Sequence, residues 1–435
     1  MNQIVRSTID KLKNTNRIEL LIYTITILLV LYRGVVYELD SSAFLSKEIN
    51  RSSGYIIFLS FFKKLFSSYF EYPLLIVQLI FNLYGIRMLH NCLNDVFKFQ
   101  KLFSVLSVLI LLAPVLYLHL TANKIMSEAL CYPLYLIFIA NSIYAFIEHK
   151  EKNLFHSAIT LLLLVFVRGQ FLSLVPIALL LSGYLFFITR KRKHILLGII
   201  FLSIPFVSNI MDKSFHYLEY GYYVSTPFIG PSIITSVFYV SDKEDVSLFS
   251  DKDEKIYFKQ VQERLEDQNW TNNYANTLEY TSSFSIFHEN YSHICNHTIH
   301  EYGMKFYEQK GLPLNERYIA TDNLTQKMYL PLLLDNFKAW FKLYIQNIKS
   351  SLGSAKYLLL HFIILGIGIY FMVNNGSKLG KMLVFVFLCT FSNIAFLAIA
   401  TSSGNRYTFY NDWVVFIAFF LFVDQYFKTQ YHNAN

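Results

Sequence analysis

Ten separate apolar stretches in this 435-residue chain are each about long enough to cross the ~30 Å hydrocarbon core of a bilayer. They lie near residues 19–37, 72–91, 102–120, 129–147, 154–168, 171–189, 194–211, 355–373, 382–400 and 408–427. Inside lipid a backbone must satisfy its own N–H and C=O groups, so runs of this length and number point to helices. The expected fold is an all-α polytopic membrane protein with about ten transmembrane helices. Composition agrees, since 54% of residues are hydrophobic and 16% charged, against about 25% charged in an ordinary soluble domain. This excludes a disordered chain, a coiled coil and a nucleic-acid binder, and the excess of +8 is read as anchoring to anionic lipid. With 16 glycines beside 41 Phe and 32 Tyr, the helices are expected to pack through bulky side chains.

The basic residues between the runs give an orientation. Arg6, Lys11, Lys13 and Arg17 precede the first run, and Lys98, Lys101, Lys150 and Lys152 follow the second and fourth. Arg190-Lys191-Arg192-Lys193, Lys378, Lys381 and Lys428 fall on the same side, which is expected to be cytoplasmic together with both termini. The chain then divides into a membrane core over 1–211, an extracytoplasmic segment over 212–354 and a closing set of helices over 355–435. Within the middle segment a turn is expected at Gly230-Pro231, a helix over Asp251–Gln268 and an amphipathic helix over Asn336–Ser350. That last helix suits either a membrane surface or ordinary packing within a domain.

The unusual polar residues fall in loops on the opposite, outer side. Glu38 and Asp40 follow the first run, while Asn123, Lys124 and Glu128 precede the fourth. Arg168 and Gln170 separate the fifth and sixth, and Asn405, Arg406 and Tyr407 precede the tenth. Charges at a membrane boundary are costly to desolvate and mark candidate sites. The paired carboxylates of Glu38-Leu39-Asp40 could hold a divalent cation against a phosphate or supply a general base; the plain alternative is a solvated helix end. Arg168 and Arg406 either snorkel to lipid phosphates or present planar, permanently charged forks to a bound phosphate. Lys124 suits either role, Glu128 suits a helix start, and Tyr407 suits an interfacial aromatic. His288, His293, Cys295, His297 and His300 are zinc-type side chains, but their spacing matches no regular finger or helical metal motif, and no metal site is assigned to them. No phosphate-binding lysine loop, dinucleotide fingerprint or serine-nucleophile elbow occurs.

After Asp40 come an amphipathic stretch Ser41–Arg51, Gly54-Tyr55, a second amphipathic helix Ile56–Phe66, and a span opening at Tyr72-Pro73. An acidic Glu-x-Asp motif followed by two juxtamembrane helices in the first outer loop resembles the GT-C superfamily of polyprenol-dependent glycosyltransferases, in particular bacterial family-39-like members. Met126-Ser127-Glu128, Val167-Arg168-Gly169 and Arg406-Tyr407 resemble further short elements of that family. The resemblance covers roughly residues 15–210 and the last helix, whereas 212–354 matches no member.

The resemblance implies an integral-membrane enzyme, in a bacterial plasma membrane, with an extracytoplasmic active site. It would move a sugar from a polyprenyl-phosphate-linked donor to a glycan or lipid acceptor with inversion. Asp40 would be the base, Glu38 would orient it or share a divalent cation with it, and Arg168 and Arg406 would bind the phosphate. Two alternatives stay open: a polysaccharide polymerase or O-antigen-ligase-like enzyme, which the large loop favours, and a flippase for lipid-linked oligosaccharides. Scarce glycine, the absence of a repeat and the placement of charges at span ends speak against the flippase.

Overall fold

A computed structural model describes residues 17–278, 282–402 and 405–434. Among these the chain is helical throughout, its one β-type contact being an isolated parallel bridge between Val36 and Lys124. Along the first half run α1 (Arg17–Arg33), α2 (Ser41–Leu45), α3 (Ser53–Phe66), α4 (Glu71–Phe97) and α5 (Lys101–Leu118). Next come α6 (Glu128–Ile147), α7 (Glu151–Val167), α8 (Gly169–Thr189) and α9 (Arg192–Tyr220). The middle segment holds α10 (Ile229–Val240), α11 (Lys252–Asp267), α12 (Ser283–Ile294), α13 (Glu301–Gln309), α14 (Leu314–Asp335) and α15 (Phe337–Ser350). The chain closes with α16 (Ala355–Asn375), α17 (Lys378–Ala400) and the apolar run α18 (Arg406–Lys428).

Eight of these helices are long and apolar enough to cross a membrane: α4, α5, α6, α8, α9, α16, α17 and α18. The chain is a polytopic helical membrane protein. Among the described residues, eight of the ten expected runs thus form helices of that length and composition. The two remaining apolar runs, α1 and α7, form helices of 17 described residues each, or about 26 Å at 1.5 Å per residue.

The bundle is built around α6, in which every residue except Tyr144 is buried. A helix that is apolar on all sides belongs inside a bundle. It packs tightly against α4, and Gly85 shows how: a Cβ there would lie 2.7 Å from the Cα of Pro133 on α6. The basic loops gather at one end of the bundle. Lys428 donates to the carbonyls of Phe97 (3.2 Å) and Lys98 (2.6 Å), Lys378 pairs with Glu148 at 2.6 Å, and Lys191 pairs with Glu151 at 2.7 Å.

At the other end, the middle segment has its own core. Ile234, Phe238, Tyr257, Phe258, Phe287, Met328 and Trp340 are buried together there. The helix expected over Asp251–Gln268 forms as α11, with Asp251 capping it by accepting from the amides of Asp253 (2.7 Å) and Glu254 (3.2 Å). Three local expectations need correction. Gly230-Pro231 is not a turn but the first turn of α10, where proline is tolerated because those N–H groups lack intrahelical partners. Gly230 is required there because a Cβ would meet Thr325 Oγ1 at 2.3 Å and the Asp322 carbonyl at 2.4 Å. The helix α9 runs past residue 211 to Tyr220, so the middle segment begins on a continuous rod. In the first loop, α2 ends at Leu45 and the chain turns through Lys47 (φ 56°), while α3 starts at Ser53 rather than Ile56.

The amphipathic helix α15 packs within the domain. Trp340 Nε1 donates to Ser236 Oγ at 3.1 Å, and Trp340, Leu343 and Ile348 are buried, whereas Phe337 and Phe341 stay exposed.

Candidate functional site

Two loops meet at the end of the bundle opposite the basic loops. Gly34, at φ +70°, turns the chain out of α1. The amide of Val36 then donates to the Asn123 carbonyl at 2.9 Å, and the amide of Ile125 donates to the Val36 carbonyl at 3.2 Å. Asn123 Nδ2 donates to the carbonyls of Val30 (2.9 Å) and Gly34 (2.6 Å), satisfying the carbonyl end of α1. Gln78 and Asn82 on α4 hold the second loop. Gln78 Nε2 donates to the Ala122 carbonyl at 2.9 Å, Asn82 Nδ2 donates to the Ala129 carbonyl at 3.0 Å, and Thr121 Oγ1 donates to Asn82 Oδ1 at 3.0 Å. Ser41 Oγ fastens the joint by donating to the Ile125 carbonyl at 3.0 Å. Buried polar groups in an apolar bundle are costly unless bonded, so this lattice fixes where the charged side chains of both loops emerge.

Those charges form a chain of ion pairs. Asp40 pairs with Arg51 at 2.9 Å through one oxygen and with Arg406 at 2.9 Å through the other. Nε of Arg406 then reaches Glu128 Oε1 at 2.9 Å, and Arg168 Nη1 reaches the same oxygen at 2.8 Å. Tyr407 lies beneath both guanidiniums, its ring centre 5.0 Å from that of Arg168 and 5.9 Å from that of Arg406. Glu38, expected to orient Asp40, instead pairs with Lys124 at 2.7 Å. The side chains of Glu128 and Arg168 are 8% and 15% exposed, whereas Arg406 is 46% exposed. The network is thus closed at its base and open at Arg406. Four cations face three carboxylates, leaving one positive charge in excess.

Asp40 occupies the N-cap of α2 yet accepts no helix amide with its side chain; its carboxylate turns to the arginines instead. Burial alone would push this carboxyl up, but Arg51 and Arg406 outweigh it and hold it below its ordinary value. With Glu38 and Asp40 committed to different cations, the pair does not form the convergent oxygen set that a divalent ion takes. No group of three or more metal-type side chains occurs among the described residues.

Arg51 is the residue that sequence reasoning missed. Its signal was its position, a cation closing the stretch just after the acidic motif, but nothing local separates it from an ordinary surface arginine. The middle segment packs against the loop that carries it. Tyr318 donates to Glu48 at 3.4 Å, and Tyr220 donates to the Lys47 carbonyl at 2.7 Å. His300 packs against the rings of Phe228 (5.1 Å) and Tyr318 (5.2 Å). Burial, reinforced by the nearby charge of Arg51, pushes its imidazole down to about 4.

The segment leading to Arg406 is held from the same side. Tyr291 donates to the Ala400 carbonyl at 2.8 Å, His288 Nδ1 lies 3.1 Å from the Ser402 carbonyl, and Asn347 donates to the carbonyls of Ala398 and Thr401, each at 3.2 Å. Gln170 donates to the Tyr407 carbonyl at 3.2 Å. Among the histidines of the middle segment, His293 stacks on Trp270 (5.2 Å) and also neighbours His297 (5.6 Å), which lies 3.9 Å from Glu301. Of the expected polar residues, the side chain of Asn405 lies outside those described.

A cluster with a net positive charge, half open at one guanidinium and with a carboxylate beside it, can bind an anion next to a proton acceptor. Comparison with family models, with curated proteins and with solved structures finds no match for this chain.

Proposed function

We propose that the chain is an integral-membrane glycosyltransferase that moves a sugar from a polyprenyl-phosphate donor to a hydroxyl of a glycan or lipid acceptor at the outer face of a bacterial plasma membrane. The observation that carries this reading is the ion-pair chain Asp40–Arg406–Glu128–Arg168, assembled from four loops at the end of the bundle away from the basic loops. Glu128 and Arg406, 278 positions apart in sequence, meet where the network opens at Arg406.

The donor phosphate takes the open fork of Arg406 and is backed by Arg168, both of which offer charge-assisted hydrogen bonds to a phosphate. Engaging Arg406 draws it off Asp40, leaving that carboxylate with Arg51 alone and more basic than before. The acceptor hydroxyl then attacks the anomeric carbon while its proton passes to Asp40. The bond between that carbon and the phosphate oxygen breaks on the opposite face, the configuration inverts, and the lipid phosphate leaves with the bond's electrons. Charge growing on the departing oxygen is met by fixed guanidiniums, an effect typically worth a few kcal/mol. Glu128 keeps both arginines aimed, and Lys124, held by Glu38, adds a further cation at the rim.

The test uses the purified protein in nanodiscs with a radiolabelled polyprenyl-phosphate sugar and an envelope lipid or glycan acceptor. Wild type forms a new glycosidic bond, and Asp40→Asn loses about 10²- to 10⁴-fold in rate, the usual contribution of a general base. Full activity in Asp40→Asn would remove the base. Movement of intact donor across the bilayer with no new bond would identify a flippase instead.

A further inference from the structure

Beside the face of α15 that packs on its domain runs an apolar edge that is left exposed. Phe337 and Phe341 are 50% and 46% exposed, and Ile345, one turn further on, is half-buried. Leu330 and Leu334 near the end of α14 are 57% and 66% exposed. The four residues 330, 334, 337 and 341 follow the i, i+4, i+7, i+11 spacing of one helix side, carried through the single joint residue Asn336. Apolar side chains scattered singly over a surface need no explanation, but a contiguous run marks a contact.

The position of the edge names the contact. The neighbouring face of α15 is fixed to α17, one of the eight helices long and apolar enough to cross a membrane. Tyr344 donates to the Ala395 carbonyl and Asn347 to the Ala398 carbonyl, each at 3.2 Å. Ala395 lies five residues before the end of α17, about 7.5 Å along its axis. Ile348 is buried with Leu358 of α16 and with Ile394 and Ala398 of α17. The second half of α15 is therefore level with the end turns of two spans, the height at which a bilayer surface meets them. Charge and ring chemistry fit that height. At 100° per residue, Lys338, Lys342 and Lys349 lie next to Phe337, Phe341 and Ile345 around the helix, and residues 336–356 hold four lysines and no Asp or Glu. Phe337, Trp340, Phe341 and Tyr344 form one array, with neighbouring ring centres 5.3 to 6.1 Å apart. Aromatic rings collect at membrane–water boundaries, and lysine stems lie along apolar surface there while their ammonium groups stay among the headgroups.

We propose that the exposed edge of α15 rests in the bilayer leaflet on the side of the middle segment, with Phe337 and Phe341 at the headgroup–acyl boundary and Lys338 and Lys342 on acidic phospholipid headgroups. An apolar edge flanked by lysines on an otherwise packed helix is the pattern of an interfacial segment. This surface needs no sugar chemistry, so it stands or falls apart from the transferase reading.

The four native cysteines are buried, so a small thiol-reactive fluorophore can be placed on Phe337→Cys, on Phe341→Cys and, as a water-facing reference, on Lys259→Cys at an exposed position of α11. The labelled full-length protein is set in nanodiscs of mixed phosphatidylglycerol and phosphatidylcholine, with quenching bromines on the acyl chains of one lipid or the other. The labels at 337 and 341 should be quenched about threefold more than the label at 259. Quenching should be about twofold stronger with the bromines on phosphatidylglycerol. Exchanging the exposed pair by Lys338→Glu with Lys342→Glu should remove that preference and leave the packed face of α15 intact. The proposal is overturned if the labels at 337 and 341 are quenched like that at 259, if both lipids quench alike with the lysines in place, or if the preference survives the double charge reversal. Energy transfer between copies labelled at 341, with no quenching by lipid, would give the face to a second copy of the chain and would overturn it equally.

Discussion

The pair Glu128–Arg168 allows the most direct test of whether the network is one unit. The two side chains are 8% and 15% exposed and 2.8 Å apart. Removing one partner of a buried pair typically costs about 3–5 kcal/mol, because the survivor is left charged and unpaired. Here the two directions differ. In Arg168→Met the carboxylate keeps Arg406, whose Nε is 2.9 Å from the same oxygen, so the expected loss falls to about 2 kcal/mol, below the usual range for an unpaired survivor. In Glu128→Gln, Arg168 loses its carboxylate inside the bundle, and about 3 kcal/mol is expected. The double variant buries no unpaired charge from this pair and should lose only about 3 kcal/mol, so the two changes couple by about 2 kcal/mol. The assay is reversible unfolding in mixed micelles for wild type, both single variants and the double variant. Losses that add to within about 0.5 kcal/mol would show that the two side chains do not act together, and the proposed backing of the phosphate site would fall with them.

Other outcomes follow from the same geometry. Arg51 and Arg406 depress the carboxyl of Asp40, so their stabilisation is present above the ordinary value near 3.9 and is lost as pH falls through the folded value. Arg51→Gln should raise that folded value and move the acid limb of the transfer-rate profile to higher pH; a limb that stays in place contradicts the pairing. Gly54→Val should displace α3, because even a Cβ there would lie 2.8 Å from both the Phe166 carbonyl and the Val167 Cα, next to Arg168. Donor binding should weaken severalfold in that variant, and unchanged affinity would refute the coupling. Asn347→Leu removes the donor from two backbone carbonyls at a cost of about 1–3 kcal/mol. Amide exchange over residues 398–408 should accelerate, and unaltered exchange would show that this segment is held by other means.

The long apolar runs announced the helices because lipid leaves a backbone few choices, and eight of them reached spanning length. Arg168, Glu128 and Arg406 were legible as charges at run ends, where desolvation makes them conspicuous. Their pairing was not legible, since an ion pair between residues 278 positions apart in sequence leaves no periodic trace along the chain. Arg51 lies only 11 positions from Asp40, but nothing local separates it from an ordinary surface arginine. The amphipathic pattern of α15 reports that one face is buried but not whether lipid or protein buries it.

By itself the sequence determined that this chain is helical, that it belongs in a membrane, and that its charges divide between two ends. Those are consequences of local transfer energies summed along the chain. Only the tertiary structure decided that Asp40 sits between two arginines and that α15 packs on its own domain. Which partners meet across the bundle depends on how loops pinned by Asn123, Gln78 and Asn347 bring distant segments together, and that is set by three-dimensional packing, not by any local preference.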